Sequence, residues 1–334
     1  MLNYIVRRLL YAIPILIGVN LITFTLFFVV NTPDDMARMQ LGIKRVTPEA
    51  IAKWKQERGY DKPLMFNNGE QGLAQLTHTI FFEKSVAMFA FRFGRADDGR
   101  DIAYEIKSRM TPSLAIALPV FVLGLGVYIV FALTMVFFRT TYVDFWGVVL
   151  CVALMSISSL FYIIGGQFLI SKLWHLVPIS GYGQHLDAAK FLVLPVIIGV
   201  ASSAGANTRW YRTLFLEEMG KDYVRTARAK GLAESAVLFR HVLRNALIPI
   251  LTGAVVVIPS LFLGSLIAES FFGIPGLGSY TIDAINSQDF AVVRAMVFLG
   301  SLLYIAGLKA RTFVRHARVA EKVKFDLVIP RQLV

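Results

Sequence analysis

The sequence contains one cysteine, Cys151, and it lies inside an apolar run. No internal disulfide can form, and the redox compartment is left open. Charge is sparse, with 17% of the 334 residues being Asp, Glu, Lys or Arg. The histidines (His78, His175, His185, His241, His316) are scattered, and only His175 and His185 share a short polar loop. With no cysteine or carboxylate cluster beside them they read as ordinary loop residues, so neither a metal site nor a cofactor is expected. No G-x-x-x-x-G-K-[ST] stretch is present to cradle nucleotide phosphates. Nor do the apolar runs hold a nucleophile–base pair or a metal cluster, which excludes an enzyme embedded in the membrane.

What the chain has in abundance is apolar sequence, 56% of the residues, gathered in runs. A hydrocarbon core ~30 Å thick needs about 20 apolar residues in a helix. Six runs approach that length: 9–30, 113–138, 145–170, 189–206, 248–270 and 291–308. Pro14, Pro119, Pro195 and Pro259 fall within them, which membrane helices tolerate because neighbouring groups satisfy the freed carbonyls. Arg7 and Arg8 ahead of the first run imitate a signal peptide. The run is 22 residues long, however, and ends in NTPDD with no small-x-small cleavage pattern, so a retained span is expected.

The net charge of +12 is placed unevenly. With the N-terminus cytoplasmic, segments 1–8, 139–144, 209–247 and 309–334 face inward and carry 18 Lys/Arg against 7 acids. The short outside loops, 171–188 and 271–290, hold only Lys172 as a base. Segment 31–112 has 13 bases and 11 acids, but loops beyond ~60 residues cross largely regardless of charge. Both termini are therefore expected in the cytoplasm, and the excess of base needs no nucleic-acid partner.

The expected organisation is a cytoplasmic tip and first span over 1–30, an external domain over 31–112, a core of five spans over 113–308, and a basic cytoplasmic tail over 309–334. In the external domain, TPEAIAKWKQERG predicts a helix. Thr47 caps it, Pro48 opens it, Glu49 supplies a first-turn acid and Gly59 stops it. The apolar stretch TIFFEKSVAMFAFRF (79–93) has Glu83 and Lys84 in its middle. Two charges at the bilayer centre would each cost roughly 3 kcal/mol, so an interfacial or domain-packed helix is expected rather than a seventh span.

Between the fourth and fifth spans, residues 223–250 read YVRTARAKGLAESAVLFRHVLRNALIPI, with six basic residues (His241 among them) and one acid. Leu216, Met219, Tyr223 and Ala227 recur at spacings of three and four, which gives one apolar and one basic helix side. Ala227 and Ala229 permit close approach of another surface, and Gly231 suits the left-handed position that ends a helix. A basic hairpin lying on anionic lipid is one reading. A helix, a small-residue corner and a second helix also fit a groove on a protein.

These residues resemble the cytoplasmic EAA loop of bacterial ABC-importer permeases, in particular the peptide-type branch of dipeptide and oligopeptide permease B subunits. The opening MLNYIVRRLLYAIPIL, the segment FRFGRADDGRDIAYEIKSRMTPSLAIAL and the segment ESFFGIPGLGSYTIDAINSQDF are similar to the same branch in the same order. The resemblance implies an all-α membrane protein of the type I ABC-importer transmembrane fold, with six transmembrane helices and a large external loop between the first and second. It implies a multi-pass protein of the bacterial inner membrane that is not itself an ATPase. Its partners would be a homologous second permease subunit, two ABC ATPase subunits, a soluble substrate-binding protein and membrane lipids. By the same likeness, Ala227 to Leu232 form a coupling helix, and Arg225, Arg228 and Lys230 meet acidic groups on an ATPase. The seven residues Arg225, Ala227, Arg228, Ala229, Lys230, Gly231 and Leu232 are thus the expected ATPase contact. Two features depart from the branch: Arg225 replaces the acidic first position of the motif, and LKARTFVRHARVAEKVKFDLVIPRQLV replaces a close on Asp-Pro-Arg. Lys309 and Arg311 there are expected to cut the sixth span short.

Candidates for the translocation pathway are Glu269, the one carboxylate at the edge of a span, and Ser265, Ser260 and Ser159. Ser156 and Ser158 are comparable, and small hydroxyls also serve helix packing. A stand-alone secondary transporter or channel is the alternative. It requires mid-bilayer charges, discontinuous helices and a repeat between halves. No such repeat is visible, and the charges lie at span boundaries. The cargo is not named by any of these motifs; related permeases are associated with dipeptides, oligopeptides, nickel chelates, glutathione and antimicrobial peptides.

Overall fold

The computed structural model describes residues 7, 10–42, 46–183 and 187–328, with backbone alone for 187–188 and 313–328. The expected cytoplasmic tip (apart from Arg7), His185 and the last six residues of the basic tail lie outside the described residues. The described secondary structure is helical, save one isolated bridge between Arg95 and Asp101. Five helical stretches are long and apolar enough to cross a membrane: Ala12–Val30, Ile102–Phe137, Ala189–Met219, Glu234–Leu263 and Phe290–Thr312. A sixth is present if the bent pair Tyr142–Ser156 and Ser159–Leu173 counts as one span. The protein is an all-α membrane protein.

The chain forms two compact units. The first comprises Met1–Arg109 and Tyr280–Lys309. Its helix α1 (Ala12–Phe24) continues as π-helical backbone over Thr25–Val30. The short helices α2 (Pro33–Leu41) and α3 (Pro48–Arg58) follow. Phe24 and Phe28 from the end of the span pack with Met36 of α2, Ile51 and Trp54 of α3, Tyr60 and Ile80. The loop beyond the first span is thus built on the span's own end. α3 forms as its sequence dictates: the Thr47 hydroxyl accepts from the Ala50 N–H at 3.3 Å, and Gly59 closes the helix at φ +67°. The 79–93 stretch does not span. It folds as α4 (Ile80–Lys84) and a 3₁₀ turn, Val86–Ala90, with Glu83 ion-paired to Lys62.

The second unit comprises Met110–Ser279 and Ala310–Val334. α5 (Ile102–Phe137) enters it carrying Pro112 and Pro119 internally and begins eleven residues before the apolar run that foretold it. The expected third span is broken. α6 (Tyr142–Ser156) and α7 (Ser159–Gly166), the latter prolonged by Gln167–Leu173, meet at 90°. Ile157 is extended at the corner, and the Ser156 hydroxyl donates back to the Val152 carbonyl at 2.9 Å. Three serines in four residues offer the backbone local alternatives to a helix. The Tyr162 hydroxyl then donates to the Leu154 carbonyl at 2.8 Å, satisfying a group that the break exposes.

α8 (Asp187–Met219) outruns the expected fourth span by more than three turns and lies along α6. The contact is close because Gly205 has no side chain. A Cβ there would stand 2.4 Å from the Cys151 carbonyl oxygen. Gly205→Leu must push the two helices apart, and it is expected to lower stability by about 1–3 kcal/mol. A reduced melting temperature of the detergent-solubilised protein is the readout; an unchanged value would mean that the two helices do not pack at this distance.

α9 (Asp222–Ala229) follows, then a π-helical stretch (Val237–Val242) leading into α10 (Leu243–Val257). The expected fifth span ends early, at Leu263. A 3₁₀ turn over Pro259–Leu263 and Gly264 at φ +68° stop it, and α11 (Leu266–Phe272) and α12 (Leu277–Asn286) are separate. α13 (Phe290–Val328) runs on through Lys309 and Arg311, so these charges do not end the helix. Within Phe290–Thr312 lies a stretch apolar enough to span.

Candidate functional site

Two sites in the second unit gather most of the residues singled out by sequence. The first is the turn around α9. α8 stops at Met219, Gly220 intervenes, and Lys221 is extended before α9 begins with Asp222 in its first turn. A negative side chain there suits the positive end of the helix. The other end closes by two bonds, Gly231 N–H to the Arg228 carbonyl at 2.9 Å and Leu232 N–H to the Ala227 carbonyl at 3.3 Å, with Gly231 at φ +77°. This is a Schellman close, the role that Gly231 was expected to fill.

α9 is two turns long, and its faces differ sharply. Val224 and Ala227 are buried in a core shared with Phe215 and Met219 of α8 and with Val237, Leu238 and Val242. Arg225, Ala229, Lys230, Gly231 and Leu232 are exposed. Two of the seven residues expected in the contact are engaged within the chain. Ala227 is only 5% exposed and packs inward, because Val224 one turn earlier fixes that face on the core. Arg228 is already engaged within the chain, its Nη2 lying 2.6 Å from Glu234 Oε1 and its Nε 3.0 Å from Oε2. That two-point pair staples the helix to the segment after it. Tyr223 fixes the other side by donating to Glu218 at 2.6 Å. Burial, with the neighbouring Glu218 carboxylate, pushes the Tyr223 phenol up to about 12, so it stays a donor throughout the neutral range.

A pair that sequence reasoning missed completes this end. Arg212 of α8 grips Asp144 of α6 with two bonds of 2.8 and 2.7 Å. The partners lie 68 positions apart, and no local pattern marks them.

The second site is a cavity of about 690 Å³ whose lining includes all four pathway candidates, Ser159, Ser260, Ser265 and Glu269. Uncharged polar groups, among them Ser202, Ser203 and Asn207, punctuate an apolar wall. Ser156 and Ser158 are not in the lining. Glu269 is the wall's one ionisable carboxylate, yet it is 1% exposed and occupied. Its Oε2 accepts from the Gly278 N–H at 2.7 Å and the Ser279 N–H at 3.1 Å, and its Oε1 from the Ser265 N–H at 3.3 Å. The Ser113 hydroxyl beside it accepts from the Leu277 N–H at 2.8 Å. A Cβ on Gly264 or Gly276 would fall 1.8 or 2.2 Å from the carboxylate oxygens. Gly264, Gly276 and Gly278 thus wrap the carboxylate, and Glu269 pins the start of α12 to the start of α11. Glu269 lies in the lining, as a pathway candidate would, with both carboxylate oxygens engaged by backbone N–H groups as a clasp between α11 and α12. Ser260 and Ser265 also spend their hydroxyls locally: Ser260 donates to the Val257 carbonyl at 2.7 Å, and Ser265 accepts from the Ala268 N–H at 3.3 Å.

Known proteins carry the same chain organisation. Residues 106–316 match the family described as "Binding-protein-dependent transport system inner membrane component", and residues 1–89 match its N-terminal companion, "Binding-prot-dependent transport system membrane comp, N-term". The di/tripeptide transport system permease protein DppB of Pseudomonas aeruginosa (strain UCBPP-PA14) is 32% identical over 344 residues, covering 91% of this chain and 94% of that one. The glutathione transport system permease protein GsiC of Salmonella typhimurium (strain LT2) is 30% identical over 307 residues, with the same two coverages. The dipeptide transport system permease protein DppB of Escherichia coli (strain K12) is 27% identical over 341 residues, again covering 91% and 94%. With a cavity among its spans, a capped basic helix between two of them and a family match over most of its length, this chain belongs to the binding-protein-dependent transport system inner membrane components and has their type I ABC-importer fold.

Proposed function

We propose that this permease carries peptides, forms one half of their path across the inner membrane, and receives the work of ATP hydrolysis through α9. The observation that carries the reading is the two-faced build of α9. One face is locked into the core beneath α8 and α10, and the other presents Arg225, Ala229, Lys230 and Leu232 to solvent. A helix held this way moves with its spans, so a push on the exposed face is passed to them. In this proposal Arg225 and Lys230 meet acidic groups of an ATPase, Ala229 lets the two surfaces approach, and Gly231 keeps the close of the helix. Arg228 and Ala227 hold the lever in shape from inside. The cavity lined by Ser159, Ser260 and Ser265 is half of the pathway, and Glu269 secures its edge. A wall with few fixed charges suits cargo whose side chains vary, as those of peptides do, and the names of the relatives point to the same class.

The hydrolytic sites belong to partner subunits. One exposed α9 supplies one ATPase contact and a pair of ATPases needs two, so we place this chain beside a different, homologous permease. Two ATPases and a soluble binding protein complete the assembly. Purification of the tagged chain from membranes is the test. The expected complex contains a second permease and two ATPases; two copies of this chain as the sole permease would refute the pairing.

The proposed orientation puts both termini and segment 209–247 in the cytoplasm, 31–112 outside, 113–308 as the core and 309–334 as an inner tail. It follows from the distribution of Lys and Arg. Cys151 is buried, so a Cys151→Ser background removes the native thiol. In that background Lys53→Cys is expected to react with an impermeant maleimide in intact cells, and Lys230→Cys only after permeabilisation. Reaction at position 230 from outside would invert the scheme.

A further inference from the structure

The first unit holds a second cavity, of about 650 Å³, and its character is opposite to that of the pathway. Its floor is Arg294, which is 3% exposed and makes no ion pair among the described residues. Arg294 Nε donates to the Phe290 carbonyl at 3.3 Å, and its Cζ lies 4.6 Å from the centre of the Phe28 ring. Its Nη1 has no hydrogen-bond partner. The nearby Asp289 carboxylate acts on it through charge but makes no ion pair or hydrogen bond with it, its two oxygens accepting instead from the Asp97 N–H at 2.7 Å and the Val292 N–H at 3.1 Å. A buried guanidinium with a free donor is an expensive arrangement unless an anion completes it.

The rest of the lining is built for the same charge. Lys84 stands with its Nζ 5.4 Å from the Tyr60 ring centre. Burial, and then the Arg294 charge, push its ammonium below the usual range, so an anion between the two would relieve both. Arg92 and Arg95 are exposed at the edge. Of the carboxylates in the wall, Glu83 is held by Lys62 and Asp97 by Arg58, leaving Glu57 against Lys84, Arg92, Arg95 and Arg294, none of which makes an ion pair among the described residues.

The position of the cavity selects the anion. Ala291 and Arg294 belong to the first turns of α13, where the span Phe290–Thr312 begins. The 79–93 segment lies against that span, with Phe89 and Phe93 edge-on to Phe298 at 5.2 and 6.4 Å, while Phe82, Phe89 and Phe91 keep exposed faces. Phe rings beside basic side chains at the start of a span suit the boundary between acyl chains and headgroups, the rings on the acyl side and the charges on the other. Guanidinium and ammonium together match a phosphate. We propose that this cavity binds the phosphate of an anionic phospholipid, with Arg294 and Lys84 as its anchors and the 79–93 segment as its aromatic collar.

The test uses the assembled, detergent-solubilised transporter and three probes: short-chain phosphatidylglycerol, short-chain phosphatidylcholine and inorganic phosphate. Melting temperature is followed as each is added. Phosphatidylglycerol is expected to stabilise the wild type saturably, and Lys84→Gln is expected to shift the midpoint at least tenfold to higher concentration. Arg294→Gln, which removes the unanswered charge, is expected to melt no lower than wild type without lipid and to gain nothing from it. If Arg294→Gln does not assemble, Lys84→Gln and Arg92→Gln decide the matter. Equal titration of wild type and Lys84→Gln would overturn the site. Saturation by inorganic phosphate at the same concentrations would overturn the lipid assignment, and so would an equal response to phosphatidylcholine.

Discussion

Glu269→Ala is expected to prevent accumulation of a folded transporter. The substitution removes the acceptor of three backbone N–H groups, those of Ser265, Gly278 and Ser279. Gly278 is buried and Ser279 half-buried, while Ser265 is exposed. Each of the first two donors left without a partner costs about 1–3 kcal/mol, so the loss is on the order of 4 kcal/mol. That approaches the lower end of the whole stability of many domains, roughly 5–15 kcal/mol. Glu269→Gln is expected to rescue in large part, because its amide oxygen can take the place of Oε2 and accept from Gly278 and Ser279, leaving only the Ser265 N–H facing a donor. Ser260→Ala lines the same cavity and is expected to be mild, since its hydroxyl only returns to its own helix. Membrane levels and melting temperature separate a clasp from a cargo contact. A Glu269→Ala protein that assembles and melts as wild type but fails to transport would return Glu269 to the pathway.

Transport is expected to stop in Ala229→Trp and Gly231→Val although both insert and accumulate. Ala229 is exposed, so a tryptophan there disturbs no internal contact and is met only by whatever docks on α9. At Gly231 a Cβ would meet nothing within 4 Å, so the harm lies in the backbone. Holding φ near +77° costs a side-chain-bearing residue about 1–2 kcal/mol, and more when it is β-branched. That is enough to loosen the close of a two-turn helix without unfolding the chain. Cargo-stimulated ATP hydrolysis should fall more than tenfold in both variants, and binding of cargo to the soluble receptor should be untouched. Ala227→Trp is expected to behave differently and fail to accumulate, because Ala227 is core. A basic hairpin lying on lipid would tolerate the exposed tryptophan or bind the membrane more strongly. Wild-type hydrolysis in Ala229→Trp would therefore remove α9 from the coupling role.

The elements readable in the sequence are those whose causes are local. α3 has its cap, its opening proline and its closing glycine within thirteen residues, and each takes its expected place. Gly231 is the same case. Hydropathy finds the apolar runs but is blind to their direction, so the right-angled corner at Ile157 reads as one continuous span. It also says nothing of helix beyond the bilayer, which is why α8 and α13 run further than their apolar cores. Small residues at 227 and 229 look alike in sequence, and only the burial of Val224 shows that one faces in and the other out. The clasp at Glu269 depends on Ser113, far away in the chain, and on N–H groups that carry no side-chain signature. The run of glycines beside a lone boundary carboxylate was its one visible trace. Arg294 lies within the sixth apolar run, and that its Nη1 is buried without a partner is a three-dimensional fact no run of residues displays.

The central claim is that this chain is half of an importer driven by ATP. It is tested most directly by uptake of a labelled dipeptide into vesicles reconstituted with this chain, its partner permease, the two ATPases and the binding protein. The account predicts uptake that requires ATP and loaded binding protein together, and that disappears in Ala229→Trp. Uptake that persists without the ATPases, driven by an ion gradient alone, would contradict it.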